Sequence, residues 1–219
     1  MEQSHLQDRI SWGLNRTARH IGQKTDAYRP KGNGNPLSPT NRFLQLQAAF
    51  SASDGKFSRP NGYGNALWQG YFDSAYTQPG DYLVQDGNIW FIAAQQKLLP
   101  VLCVQTNRTA SFVRPAATST IGLNPYGGMA LQASTKLITD IPVSILGISS
   151  AGKPSAALPD DSVTGWWTVL LPAIAPSPAS PIILRPADLI KDDLGRIAII
   201  TGSELTDLGW RLSVRQATT

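Results

Sequence analysis

The sequence predicts a mainly β protein, made of two small barrel-like units with long loops and preceded by one α-helix. Three observations carry this. Short apolar, β-branched runs alternate with clusters of Gly, Asn, Pro and Ser, the pattern of strands and turns. Only the first 21 residues show a helical period. Residues 80–114 return in degenerate form at residues 187–215, so that the chain reads as one β-unit used twice.

In the first copy, residues 81–84 read as a strand, Asp86-Gly87-Asn88 as a hairpin turn, residues 89–94 as a second strand and residues 101–113 as a third. The second copy sets Asp188 opposite Asp81, Gly195 opposite Gly87 and Ile197 opposite Ile89. With no gap after the turn glycines, which are 108 residues apart, Trp210, Leu212 and Val214 fall opposite Leu102, Val104 and Thr106. Each copy then ends on an arginine, Arg114 or Arg215.

In chain order, Leu6, Ile10, Leu14, Ala18 and Ile21 form an apolar helical stripe, with Ser4 placed to cap its start and Gly22 to end it. Arg9, Arg16 and Arg19 lie mostly off that stripe. The expected arrangement packs the stripe on the first barrel and turns the arginines outward. Residues 25–29 read as a strand stopped by Pro30, residues 43–47 as a half-buried strand, and residues 67–72, with Trp68, as another. Between them, residues 31–41 and 51–66 are loops, long enough to point to contacts with neighbours. Further on, residues 136–146 and 165–171 are strands, the latter matching the one around Trp68, and residues 150–162 are a third long loop. Four prolines in residues 172–181 exclude a helix or an inner strand. The resulting division is residues 1–115 for the helix and first unit, 116–135 for a connection and 136–219 for the second unit.

Composition narrows the function. Charged residues make up only 16% of the 219, which fits a surface partly covered in an assembly. The net charge of +4 is confined to residues 1–42, where seven Lys and Arg face three Asp and Glu; an acidic partner would meet the molecule there. Cys103 lies in an apolar strand and reads as a small core residue. No apolar run is long enough for a membrane span, and MEQSHLQDRI lacks the apolar segment of a secretory signal.

Catalytic constellations are not legible. His5 and His20 both fall on the helix with no nucleophile near them in sequence, and with one cysteine they make no zinc motif. The adjacent carboxylates Asp160-Asp161 and Asp192-Asp193 sit in predicted turns, where Asp serves the backbone. Gly32-Asn33-Gly34 lacks the third glycine of a phosphate loop. The reading is a protein without catalytic residues, cofactor or metal, whose function lies in its surfaces.

Several stretches then resemble one class of proteins. The order of helix, AYRP, long loops, tryptophan-containing strand, GDYLVQDGNIWFIAAQQ and NRTASFVRP is similar to structural proteins from the morphogenesis clusters of tailed bacteriophages and prophages. DLIKDDLGRIAI and GWRLSVRQ are similar to the strands of head-closure or head-tail joining proteins. The resemblance implies a non-enzymatic virion component, made in the host cytoplasm and assembling as a homo-oligomeric ring at the neck as joining, collar or connector protein. Its implied partners are portal, adaptor, tail terminator or sheath proteins, with no membrane and with direct DNA contact not expected. Such proteins are usually shorter and have one barrel, whereas this chain has two. Arg9, Arg16, Arg19, Arg29 and Arg42 are the candidate assembly residues. The alternative is a receptor- or carbohydrate-binding tail accessory protein that stacks ligands on Trp68, Trp90, Trp166 and Trp167.

Overall fold

Two six-stranded antiparallel barrels follow one another along the chain, and each closes on itself. The computed structural model describes residues 3–52, 66–115, 134–147, 166–174 and 181–217. Helix α1 (Gln3–Ile21) leads into β1 (Gln23–Tyr28), β2 (Arg42–Ala52), β3 (Leu67–Tyr71), β4 (Tyr82–Gln85), β5 (Asn88–Ala94) and β6 (Val101–Thr106). The second set is β7 (Arg108–Arg114), β8 (Thr135–Gly147), β9 (Trp166–Leu171), β10 (Leu189–Asp192), β11 (Ile197–Thr206) and β12 (Gly209–Gln216). The first barrel has the order β1-β2-β3-β6-β5-β4 and the second β7-β8-β9-β12-β11-β10, the same circuit with every strand advanced by six. Closure removes the exposed edges through which β-sheets aggregate.

The duplication extends to backbone detail. Gly80 N donates to Ile92 O at 2.8 Å and Ile92 N to Asp81 O at 2.9 Å; Ala187 N donates to Ile200 O at 2.8 Å and Ile200 N to Asp188 O at 2.9 Å. A β-bulge interrupts the β5–β6 pairing between Ile92 and Ala94, and another interrupts β11–β12 between Ile200 and Gly202. Gly87 and Gly195 both adopt positive φ, +78° and +77°, as the hairpin turns require.

Three expectations are corrected. The predicted third strand, residues 101–113, is two strands, β6 and β7, which belong to different barrels. Asn107 alone separates them. Its N donates to Val143 O at 3.0 Å, while its side-chain amide donates to Ile145 O and accepts from Ile145 N, both at 2.8 Å, so a side chain does the pairing work of a backbone unit. The division between the halves therefore falls at Asn107 and not after residue 115, and the segment expected to connect the halves links β7 to β8 within the second; its residues 116–133 lie outside those described.

Register supplies the third correction. Ile92 pairs with Cys103 and Ile200 with Val214, so the last strands correspond at a distance of 111 residues rather than 108. The β11–β12 hairpin is three residues longer than the β5–β6 connection. An odd shift exchanges the two faces of a strand. At the observed register, buried Val101 and Cys103 match buried Leu212 and Val214. Arg114 accordingly corresponds to Arg29 and not to Arg215.

Each barrel encloses its own apolar interior. In the first, Leu83, Trp90, Ile92, Val101 and Cys103 pack with Phe72, and Phe50 stacks on Trp90 with ring centroids 4.1 Å apart. Tyr82, Phe91, Ala93 and Val104 project from the same strands on the outside and join the core of the second barrel. This is why residues 89–94 are apolar without alternation: β5 is covered on both faces. Tyr82 Oη donates to Pro142 O across the junction at 3.0 Å.

The loop at residues 31–41, expected to wait for a neighbouring subunit, is held by its own chain. Buried Asn41 donates through Nδ2 to Asn35 O at 3.3 Å and Pro36 O at 3.1 Å. Thr139 N of β8 donates to Asn33 O at 2.9 Å, and Leu37 packs on the shared core. The other two predicted loops lie almost wholly outside the described residues.

Candidate assembly surfaces

The five candidate arginines divide into two groups. Arg29, at the end of β1, grips the fully buried carboxylate of Asp81 through Nε to Oδ1 at 2.9 Å and Nη2 to Oδ2 at 2.8 Å, and Nη2 also reaches Tyr76 O at 3.1 Å. Gln78 N donates to the same carboxylate at 2.9 Å. Hydrogen bonding to Asp81 holds the Arg29 guanidinium above its ordinary pKa, against the opposing effect of burial. Arg29 thus neutralises a buried charge within its own chain. Arg42 pairs at 2.6 Å with Asp26, which also accepts from Gln45.

Arg9, Arg16 and Arg19 are all exposed on α1, and Arg16 lies 5.4 Å from the ring centroid of Trp12. The helix seats its apolar stripe on the barrel only in part: Ala18 is buried, Ile10 and Leu14 are half-buried, and the two ends of the stripe stay exposed. It packs against β2 and β3 near its C-terminal end, where Ala18 is buried and Gly22 N bonds Ala18 O at 2.7 Å. Asn15 Nδ2 donates to Asp73 Oδ2 at 3.4 Å. Leu6 remains 40% exposed, Trp12 64% and Ile21 69%. At Gly22 the chain turns tightly into β1 beside β2, where an added Cβ would come within 2.8 Å of Ala48 O. Ser4, the predicted cap, has no described side chain.

A second surface lies between the barrels. Leu67, Phe91 and Val104 of the first and Leu146, Leu170 and Leu208 of the second line a mainly apolar cleft of about 480 Å³. Sequence reasoning missed it, because its walls come from opposite halves of the chain. The run of apolar residues on both faces of β5 was the one available signal.

The tryptophans of the alternative reading are dispersed. Trp90 is 4% exposed inside the first barrel, and the buried Nε1 atoms of Trp68 and Trp90 have no hydrogen-bond partner among the described residues. Trp167 lies under Arg196 at 5.1 Å and Trp166 under Arg215 at 5.6 Å. Asp192 accepts from Leu194 N, Arg196 N and Arg196 Nε, so it shapes the β10–β11 turn. His5 and His20 are exposed on α1. Asp160 and Asp161 lie outside the described residues. Among the described residues no group of three or more His, Cys, Asp or Glu is placed to hold a metal ion, and no helix is long and apolar enough to cross a membrane.

Fold and surfaces together define a tandem duplication of a six-stranded antiparallel barrel with an amphipathic helix set in front of it. Comparison of the chain with protein-family models, with curated proteins and with solved structures finds no match.

Proposed function

We propose that this chain is a non-enzymatic structural component of a tailed-phage virion, assembling in multiple copies at the neck in a joining, collar or connector role with portal, adaptor, tail terminator or sheath proteins. The observation that carries the assembly role is the state of α1: Leu6 and Ile21 at the two ends of its apolar stripe are exposed, and Arg9, Arg16 and Arg19 face solvent. A helix that leaves apolar surface open beside a cluster of like charges is suited to docking on another protein. The position at the neck rests on the sequence resemblance.

The test replaces Arg9, Arg16 and Arg19 together by alanine. Each exposed charge contributes only about 0–1 kcal/mol, so the subunit should stay folded and soluble while contacts repeated around a ring weaken together. The expected result is a several-fold loss of the chain from purified particles. Normal incorporation would reduce α1 to a local support, and absence of the unaltered chain from particles would sink the virion reading.

A further inference from the structure

The internal duplication identifies a docking face on the second barrel. On the outside of the first barrel, five residues on neighbouring strands form a row: Tyr28 pairs with Tyr82, Tyr82 with Phe91, Phe91 with Val104 and Val104 with Leu67. The second barrel covers the middle of this row, burying Tyr82, Phe91 and Val104. It does so largely with β8 and β9, which supply Pro142, Leu146 and Leu170.

The equivalent row of the second barrel is Val113, Leu189, Ile199, Arg215 and Trp166, joined by the same succession of pairs. The correspondence does not depend on similarity of side chains. Tyr28 and Val113 precede the arginines at the ends of the first strands, Tyr82 and Leu189 follow the aspartates that those arginines hold, and Phe91 and Ile199 precede the bulges. Four members are apolar, and Arg215 extends over Trp166. All five are half-buried. Among the described residues, none of the four apolar members belongs to either hydrophobic core or to the side chains packed against it. Residues 197–200, Ile-Ala-Ile-Ile, repeat the unalternating apolar character that in β5 reflects cover on both faces.

The first barrel shows what would cover such a row. Its own counterparts of β8 and β9 are β2 and β3, and these carry α1. A second copy approaching as the second barrel approaches the first would therefore present α1, whose Leu6 and Ile21 are exposed. We propose that the row Val113–Leu189–Ile199–Arg215–Trp166 is the docking face for α1 of another copy, so that copies join head to tail. An interface between unlike surfaces closes into a ring or continues as a filament. This deepens the assembly reading above, and it relies on that reading only for the presence of several copies.

The experiment uses the purified full-length protein, in which native Cys103 is buried and does not interfere. Leu6→Cys and Ile199→Cys are made separately and oxidised alone or mixed. A disulfide-linked dimer confined to the mixture is expected. A dimer from Ile199→Cys alone would mean a symmetric contact and overturn the proposal, as would failure of that cysteine, in a dilute monomer, to react with a maleimide, since the chain's own segments would then cover the row. Ile199→Glu should lower the mass by light scattering to that of one chain, 23.6 kDa, with an unchanged melting temperature. Wild-type protein that is monomeric at high concentration would also overturn it. A chain that joins head to tail but is missing from particles would remove the neck assignment and leave this interface standing.

Discussion

Arg29 and Arg114 occupy the same place in the two barrels, each ending the first strand and clamping the aspartate that precedes the fourth. Arg114 binds Asp188 through Nε and Nη2, both at 2.8 Å, and reaches Ile183 O at 2.8 Å, as Arg29 reaches Tyr76 O. Arg185 N completes the second carboxylate as Gln78 N completes the first. Both guanidinium groups are held above the ordinary arginine pKa by these bonds. Removing the arginine leaves the buried aspartate as a desolvated charge. Arg29→Ala and Arg114→Ala should each destabilise by about 3 kcal/mol, because the buried aspartate loses its counter-charge. Lysine at either position should give an intermediate loss, since it cannot supply the two-pronged contact. Urea unfolding curves check this, and a loss below about 1 kcal/mol at either site would contradict the clamp.

The junction between barrels offers a smaller, local test. Tyr82→Phe removes the hydroxyl that donates to Pro142 O and leaves that buried carbonyl without this donor. The expected cost is about 1 kcal/mol with little change in the slope of the denaturation curve. Burial also holds the Tyr82 hydroxyl well above its ordinary pKa, so the phenol should stay un-ionised at pH 10 in the folded protein, read by its ultraviolet absorbance.

Cys103 provides a probe of the first barrel. Burial pushes its thiol far above the ordinary value. The folded protein should not react with a thiol reagent at pH 8, and one equivalent should react after unfolding. The sign of the linkage follows: the folded state retains a proton that the unfolded thiol releases, so this contribution to stability is present below the ordinary thiol pKa and is lost as pH rises above it. Cys103→Ala should remove that part of the alkaline decline. An unchanged profile would mean that other groups cause it.

The turn between β4 and β5 tests the hairpin reading. Asp86 and Gly87 adopt φ of +47° and +78°, the left-handed pair favoured in two-residue hairpins. Gly87→Ala should cost about 1 kcal/mol, because alanine must adopt a strained backbone. Asp86→Asn should be neutral or slightly stabilising. Thermal melts distinguish the two, and a Gly87→Ala protein as stable as wild type would contradict the turn.

Sequence determined the local features: the mainly β character, the helix that ends before Gly22, the two turn glycines and the repetition of a β-unit. Each is written in residues close together in the chain, as a period, a turn residue or an apolar run. Tertiary structure decided what joins to what. In residues 101–104 the apolar run Val-Leu-Cys-Val serves two covers at once, so it has no alternation, and without alternation neither the three-residue insertion in the second hairpin nor the change of barrel at Asn107 leaves a mark. Arg29 looked like part of the basic N-terminal segment because its partner Asp81 is 52 residues away. The exposed Leu6 and Ile21 of α1 and the half-buried row around Ile199 became visible only when the fold showed which apolar residues had been used. Burial is a property of pairing between distant strands, and that pairing is fixed by closure of the barrels, which no short window of sequence contains.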